Sequence, residues 1–168
     1  TQAKKIAKHI DHLSAYANII HAEAITNAYT GNYPMALKKF KESLEIKKRL
    51  NNVEGVANST NALGAIYYFL GDYENSMKYY KKAEKLFKEL NKKTGMAYAL
   101  NGIGSSYNDM GNYQMAIIYF TRCFKIYEDV NDLDGQAIAL QNIGGIYVAQ
   151  KNYKKALDCT HKSLELRK

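Results

Sequence analysis

The sequence predicts an all-α protein, a solenoid of about four two-helix repeats. Three series of residues sharing one period predict it. Four turns line up as Gly31-Asn32-Tyr33, Gly71-Asp72-Tyr73, Gly111-Asn112-Tyr113 and Lys151-Asn152-Tyr153, each 40 residues from the next. Asn51, Asn91 and Asn131 keep the same interval, with Asp11 at the corresponding place in front, and so do Gly55, Gly95 and Gly135. A fixed period of 20–50 residues marks an array in which each unit buries its apolar face only against its neighbours. Each unit here reads as two antiparallel helices, A then B.

Taken in order, residues 1–10 align with the end of a B helix, Lys4 to Ile10 matching Leu44 to Leu50, and are expected to close a preceding unit. Repeat 1 covers 13–50 and is degenerate. Pro34, the single proline, falls in the first turn of its B helix, where a missing N–H costs nothing. Repeat 2 covers 53–90, and its A helix carries Leu63, Ile66, Tyr67 and Leu70 at the spacing of one helical face. Gly71 supplies a left-handed residue to end that helix, and Asp72 a cap for the next. The B helix continues the apolar face through Tyr73, Met77, Tyr80, Ala83, Leu86, Phe87 and Leu90. Asn91 tolerates the left-handed conformation at its end. Repeats 3 (93–130) and 4 (133–168) are built alike. Because the chain opens at Thr1, residues 1–10 match the end of a B helix and the sequence stops at Lys168 before the next loop, the array is expected to be a piece of a longer protein; the alternative is that Glu23 and its neighbours form a worn cap.

Leu63-Gly64-x-x-Tyr67-x-x-x-Gly71-x-Tyr73, Ile103-Gly104-x-x-Tyr107-x-x-x-Gly111-x-Tyr113 and Ile143-Gly144-x-x-Tyr147 resemble the tetratricopeptide pattern. The small and aromatic B-helix positions also match, as Ala36 and Phe40, Ser76 and Tyr80, Ala116 and Phe120. Repeat 4 departs, with Thr160 where the aromatic should follow Ala156. Repeat 1 departs with Glu23, Ala24 and Asn27 in place of Leu, Gly and Tyr. The 40-residue period resembles the long-helix variant of Leu-Gly-Asn-type scaffolds and of bacterial signalling arrays. This resemblance implies a right-handed superhelical tetratricopeptide solenoid, with A helices lining a concave groove and B helices forming the outer face. Gly64, Gly104 and Gly144 are expected where helix A meets its partner B, since three glycines in register would otherwise each cost about 1 kcal/mol against alanine.

Composition narrows the function. Hydrophobic residues make up 46% of 168, enough for a core, while one proline and 24% charged residues argue against a disordered linker. No apolar run approaches the roughly 18 residues of a membrane helix. Cys123 and Cys159 are too few for a disulfide framework and fall in helical segments, so they are expected as free thiols. That points to the cytoplasm, or to the periplasm if the array belongs to a membrane sensor.

The net charge of +8 invites an acidic partner, but its placement limits where one binds. The A segments, 13–30, 53–70, 94–110 and 134–150, hold none of the 24 Lys and Arg. Their charged neighbours are Glu23, Glu54, Asp109 and Asp134. A carboxylate clamp of the kind used by chaperone-binding relatives, and a nucleic acid in the groove, both need cations there. What remains is a protein or peptide recognised by amides, hydroxyls and aromatics.

By resemblance the groove-facing positions are Asn58, Asn61, Tyr68, Tyr98, Asn101, Ser105, Asn108 and Gln141, with Asn18 and His21 in repeat 1. Asn61, Asn101 and Gln141 keep the period, and a ladder of carboxamides offers donors and acceptors to a peptide backbone. The alternative is that these amides face water or bond to a neighbouring helix. No metal site or cofactor is expected: His9, Asp11 and His12 sit together without a further ligand, and Gly102-x-Gly104 lies mid-helix with no preceding strand. Asn58-Ser59-Thr60 matches a glycosylation acceptor but falls inside a helix. No nucleophile–base pair recurs, so the chain is read as non-catalytic. The expected function is a protein- or peptide-binding module, the sensor or scaffold region of a larger bacterial signal-transduction protein. The alternatives are self-assembly through terminal helices, or an electrostatic contact through the basic B face around Lys38, Lys39, Lys78, Lys81, Lys82, Lys85, Lys154 and Lys155.

Overall fold

The computed structural model describes residues 2–167, and side chains from residue 12 onward; the described residues form eight α-helices and no strand. They are α1 (Gln2–Tyr29), α2 (Tyr33–Arg49), α3 (Val53–Phe69), α4 (Tyr73–Glu89), α5 (Lys93–Asp109), α6 (Tyr113–Asp129), α7 (Leu133–Ala149) and α8 (Tyr153–Glu165). Each helix packs on its neighbours in sequence, so odd-numbered helices are the A members and even-numbered ones the B members of four hairpins. α3 also touches α5 directly, and no pair of B helices makes a comparable contact among the described residues.

The turns follow the residues that mark the period. Gly31, Gly71 and Gly111 sit at φ of 75°, 75° and 76°, where a side chain would be strained, and Lys151 is forced to 59° at the fourth. Asn51, Asn91 and Asn131 take the left-handed region at the B-to-A turns, at 51°, 54° and 54°. Asn32, Asn52, Asp72, Asn112, Asp132 and Asn152 each accept a hydrogen bond from the backbone N–H three residues on, closing the next helix start. Lys92 holds the same place before α5 without a side-chain cap.

The front corrects the sequence reading. Residues 2–10 do not end a separate B helix; α1 runs unbroken for 28 residues. The reason is local. The asparagine that turns left-handed at 51, 91 and 131 is Asp11 here, the capping position is His12, and the glycine of 55, 95 and 135 is Ala15. Nothing in that stretch interrupts a helix.

The core confirms the role of the small residues. Ala36, Ser76 and Ala116 are fully buried, with Phe40, Tyr80 and Phe120 beside them almost so. A β-carbon at Gly64 would lie 2.8 Å from the Tyr80 ring, and one at Gly104 would lie 2.7 Å from Phe120. At Gly144 the nearest atom would be Cys159 Cβ at 3.3 Å, because Thr160 is exposed and no aromatic fills that place. A tie that the sequence had not suggested recurs at the same period. Ser43 Oγ donates to the Ala17 carbonyl at 2.8 Å, Cys123 Sγ to Ala97 at 3.3 Å and Ser163 Oγ to Ala137 at 3.2 Å. Both cysteines are free; Cys123 is fully buried and Cys159 half-buried. Among the described residues no helix is long and apolar enough to cross a membrane.

Candidate functional site

The inner face of the A helices holds two adjoining clefts, one polar and one apolar. The polar cleft, about 290 Å³, opens between α3 and α5. Asn61, Tyr68, Tyr98, Asn101 and Ser105 line it, with Ala65, Phe69, Tyr80 and Gly102. Five of the eight groove residues expected from the sequence thus meet at one place. Gly102 lies over the Tyr80 ring so closely that any side chain there would collide with it. This lets α3 and α5 approach while their amides face one another across the opening.

The amides are not equivalent. Asn101 Oδ1 accepts from Asn142 Nδ2 at 2.8 Å, so its carbonyl is engaged by α7. Asn61 Oδ1 is buried and has no hydrogen-bond partner among the described residues. A buried amide oxygen left unpaired costs about 1–3 kcal/mol, so this atom is an acceptor waiting for a donor. Tyr68 donates to Asp109 Oδ2 at 2.7 Å, and Asn108 Nδ2 donates to Asp109 Oδ1 at 3.0 Å. Burial, and then that bond to Asp109, pushes the Tyr68 phenol up to about 12. Asn58 and Gln141 are exposed away from the cleft, and the amide that reaches Asn101 is Asn142 rather than Gln141. The 40-residue ladder therefore shifts by one residue at its third rung.

Three of the four groove carboxylates are matched by cations, while Asp109 accepts only from the neutral Tyr68 and Asn108 among the described residues. Glu23 pairs with Lys39, Glu54 with Lys92 at 3.0 Å, and Asp134 lies 4.0 Å from Arg167. The sequence reading missed one cation by a residue: α5 begins at Lys93, which turns to Asp129 at 3.4 Å.

The second cleft, about 560 Å³, lies between α1 and α3 over the start of α2. Ile25, Ala28, Tyr29, Tyr33, Phe40, Ala62, Ala65, Ile66 and Phe69 line it, none of them charged. Tyr33 and Phe69 stack at 5.3 Å with their planes 4° apart. Ala65 and Phe69 belong to both clefts. Sequence reasoning passed over this site because Ile25 and Tyr29 read as ordinary apolar positions of a worn repeat.

His21, expected in the groove, is instead tied into the junction behind it. Lys47 Nζ donates to Ser59 Oγ at 3.1 Å, and Ser59 Oγ lies 3.3 Å from His21 Nδ1. An ammonium has only donors, so Ser59 accepts from Lys47, and the direction of the Ser59–His21 hydrogen bond follows the tautomer of the ring. Burial, with Lys47 nearby, holds the imidazole down at about 4, so the ring is neutral. Lys47 is 4% exposed, its ammonium lowered by burial, and no carboxylate pairs with it among the described residues. Ser59 is fully buried and lines neither cleft, so its hydroxyl is not offered to a substrate.

The remaining candidates resolve simply. His12 is exposed, while the side chains of His9 and Asp11 lie outside the described residues. No group of His, Cys, Asp or Glu that could hold a metal occurs among the described residues. Gly102 and Gly104 pack on Tyr80 and Phe120, and Ser59 and Thr60 of the glycosylation match are buried in α3.

This architecture is that of a helical repeat protein. The chain belongs to the tetratricopeptide repeat family, whose model matches residues 14–89 and 95–168. It resembles solved structures in fold. BtubC from P. vanneervenii superposes with a TM-score of 0.79 at 22% identity, over 90% of this chain and 63% of that one. Aspartyl phosphate phosphatase F from Bacillus subtilis gives 0.85 at 20% identity, over 91% and 40%. A Rap protein complexed with Competence and Sporulation Factor gives 0.83 at 16%, over 91% and 43%. The chain thus spans between 40% and 63% of the length of these structures. No curated protein matches the sequence.

Proposed function

We propose that the chain is a binding module of a larger signalling protein, and that its concave groove grips an extended segment of a partner protein or peptide. The observation that carries this reading is the unpaired Asn61 Oδ1, buried beside a cleft lined by Tyr98, Asn101 and Ser105. Rotation of the Asn61 amide into the cleft lets its oxygen accept from a backbone N–H of the partner, and the free donors of Asn101 and Ser105 meet its carbonyls. Family membership supports an interaction role, and one structure of similar fold is a complex with a bound factor.

The test is selection of a random peptide library on the immobilised protein, followed by calorimetry on the winners. Asn61→Ala with Asn101→Ala should weaken them by about tenfold or more while leaving the helical spectrum unchanged. Affinity should change little between low and physiological salt, because hydrogen bonds and apolar contacts rather than ion pairs carry it. Unchanged affinity in the double variant, or release by salt, would move binding to the basic outer face.

Self-association is a second reading, favoured by one observation. Leu157 and Leu164 of α8 are 58% and 55% exposed. Light scattering across a concentration series decides it: a strictly monomeric protein removes it.

A further inference from the structure

The apolar cleft between α1 and α3 occupies the same place in the groove as the polar one, a single repeat earlier. Ile25, Tyr29 and Phe40 stand where Ala65, Phe69 and Tyr80 stand in the next unit. Two of the changes dry it: Phe40 stands in place of Tyr80, and Phe69 is the counterpart of Asp109. α1 and α3 do not make the direct contact that α3 makes with α5. Its volume of about 560 Å³ falls within the ~300–1,000 Å³ of ligand sites. Ile25, Tyr29 and Phe69 are 39%, 89% and 57% exposed, a cluster of large apolar surface beside an otherwise polar groove.

We infer that this cleft is the anchor pocket of the groove, taking one large aliphatic or aromatic side chain of the same segment that pairs with Asn61. The inference rests on the groove reading above and specifies its partner. Two observations choose the occupant. The lining carries no charge and the ion pairs beside it are satisfied, so a charged side chain has nothing to meet. The pocket is continuous with the polar cleft through the shared wall of Ala65 and Phe69, so a chain lying across one runs into the other. Neighbouring A helices are about 10 Å apart, which an extended chain covers in about three residues. The partner is therefore an extended segment, with its uncharged apolar anchor about three positions from the residue held by Asn61.

The peptide library tests this directly. Winners on the wild-type protein should share one position restricted to Leu, Ile, Met or Phe. Ala28→Leu fills the pocket without reaching the polar cleft, and should abolish that restriction with a loss of about tenfold or more. Tyr29→Ala alters a residue so exposed that folding is untouched, and should weaken the same peptides with an unchanged melting temperature. Asn61→Ala should lower affinity yet keep the apolar restriction. Winners that respond to Asn61→Ala but not to Ala28→Leu or Tyr29→Ala would overturn the anchor and leave the groove reading standing. No winner on the wild type would overturn both. A concentration-dependent dimer that Ala28→Leu dissolves would mean that a second copy fills the pocket, and would overturn the inference as well.

Discussion

The first junction between repeats and the second are built on the same positions with opposite chemistry. In the second, Phe87 of α4 lies over Gly95, where a β-carbon would come within 2.5 Å of the ring. Ala99 and Asn61 stand beside it. In the first, Lys47 takes the place of Phe87, Ser59 that of Ala99 and His21 that of Asn61, with Gly55 still making room. The third returns to the apolar form with Tyr127 over Gly135 and Ala139. One backbone thus accepts either an aromatic plug or a three-member polar chain. The glycine fixes the space, and the neighbouring side chains decide what fills it. A buried ammonium is tolerated at the first junction because Ser59 accepts its hydrogen and His21 stays neutral beside it.

The sharpest way to break this comparison is Phe87→Lys. It transplants the cation without its hydroxyl partner, since Ala99 offers none, and should cost about 3–5 kcal/mol in urea unfolding. A cost near zero would show that the glycine pocket alone accommodates a lysine. Next comes Ser59→Ala, which leaves Lys47 without its acceptor and should cost about 1–3 kcal/mol. The matching change in the second junction, Ala99→Ser, provides the control, because no buried donor awaits it.

The smallest effect is the acid response. His21 titrates at about 4 in the folded protein against 6.5 in the open chain, so the unfolded state takes up the proton first as pH falls. Stability from the neutral ring is whole above 6.5 and is lost on the way down to 4. Allowing for solvent screening of a half-buried ring, the loss is about 1–2 kcal/mol. It should show as faster amide exchange in α1 and α2 ahead of α5 and α6. His21→Asn, which restores the residue type of the later repeats, should remove it; an equal acid response in that variant would mean that the carboxylates govern it.

Most of the fold was legible because a repeat states its own punctuation. Gly71 and Asn91 announced left-handed turns, and Asp72 a cap, since backbone geometry admits few residues at those points. The break expected near Asp11 failed for the same reason: the aspartate marked the period, but the residues that enforce a turn were missing. Groove positions could be read as far as register alone determines them, which brought Asn61, Asn101, Tyr98, Tyr68 and Ser105 together. Register does not say which neighbour a side chain chooses, so Asn142 rather than Gln141 was the partner of Asn101. Lys47 was hidden among surface lysines, although its alignment with Phe87 and Tyr127 was visible in the sequence. Burial of a charge depends on partners from two other helices, and composition along one helix does not display that.

The tie from Cys123 to the Ala97 carbonyl has a consequence for reagents. That thiol is fully enclosed and burial pushes it up to about 12, so thiolate is scarce at neutral pH. Cys159 remains the one with a path to solvent. A maleimide dye or a spin label applied to the unaltered chain would therefore mark α8 alone. The last hairpin comes with a single attachment point, from which its movement against the rest of the array can be followed without editing either cysteine.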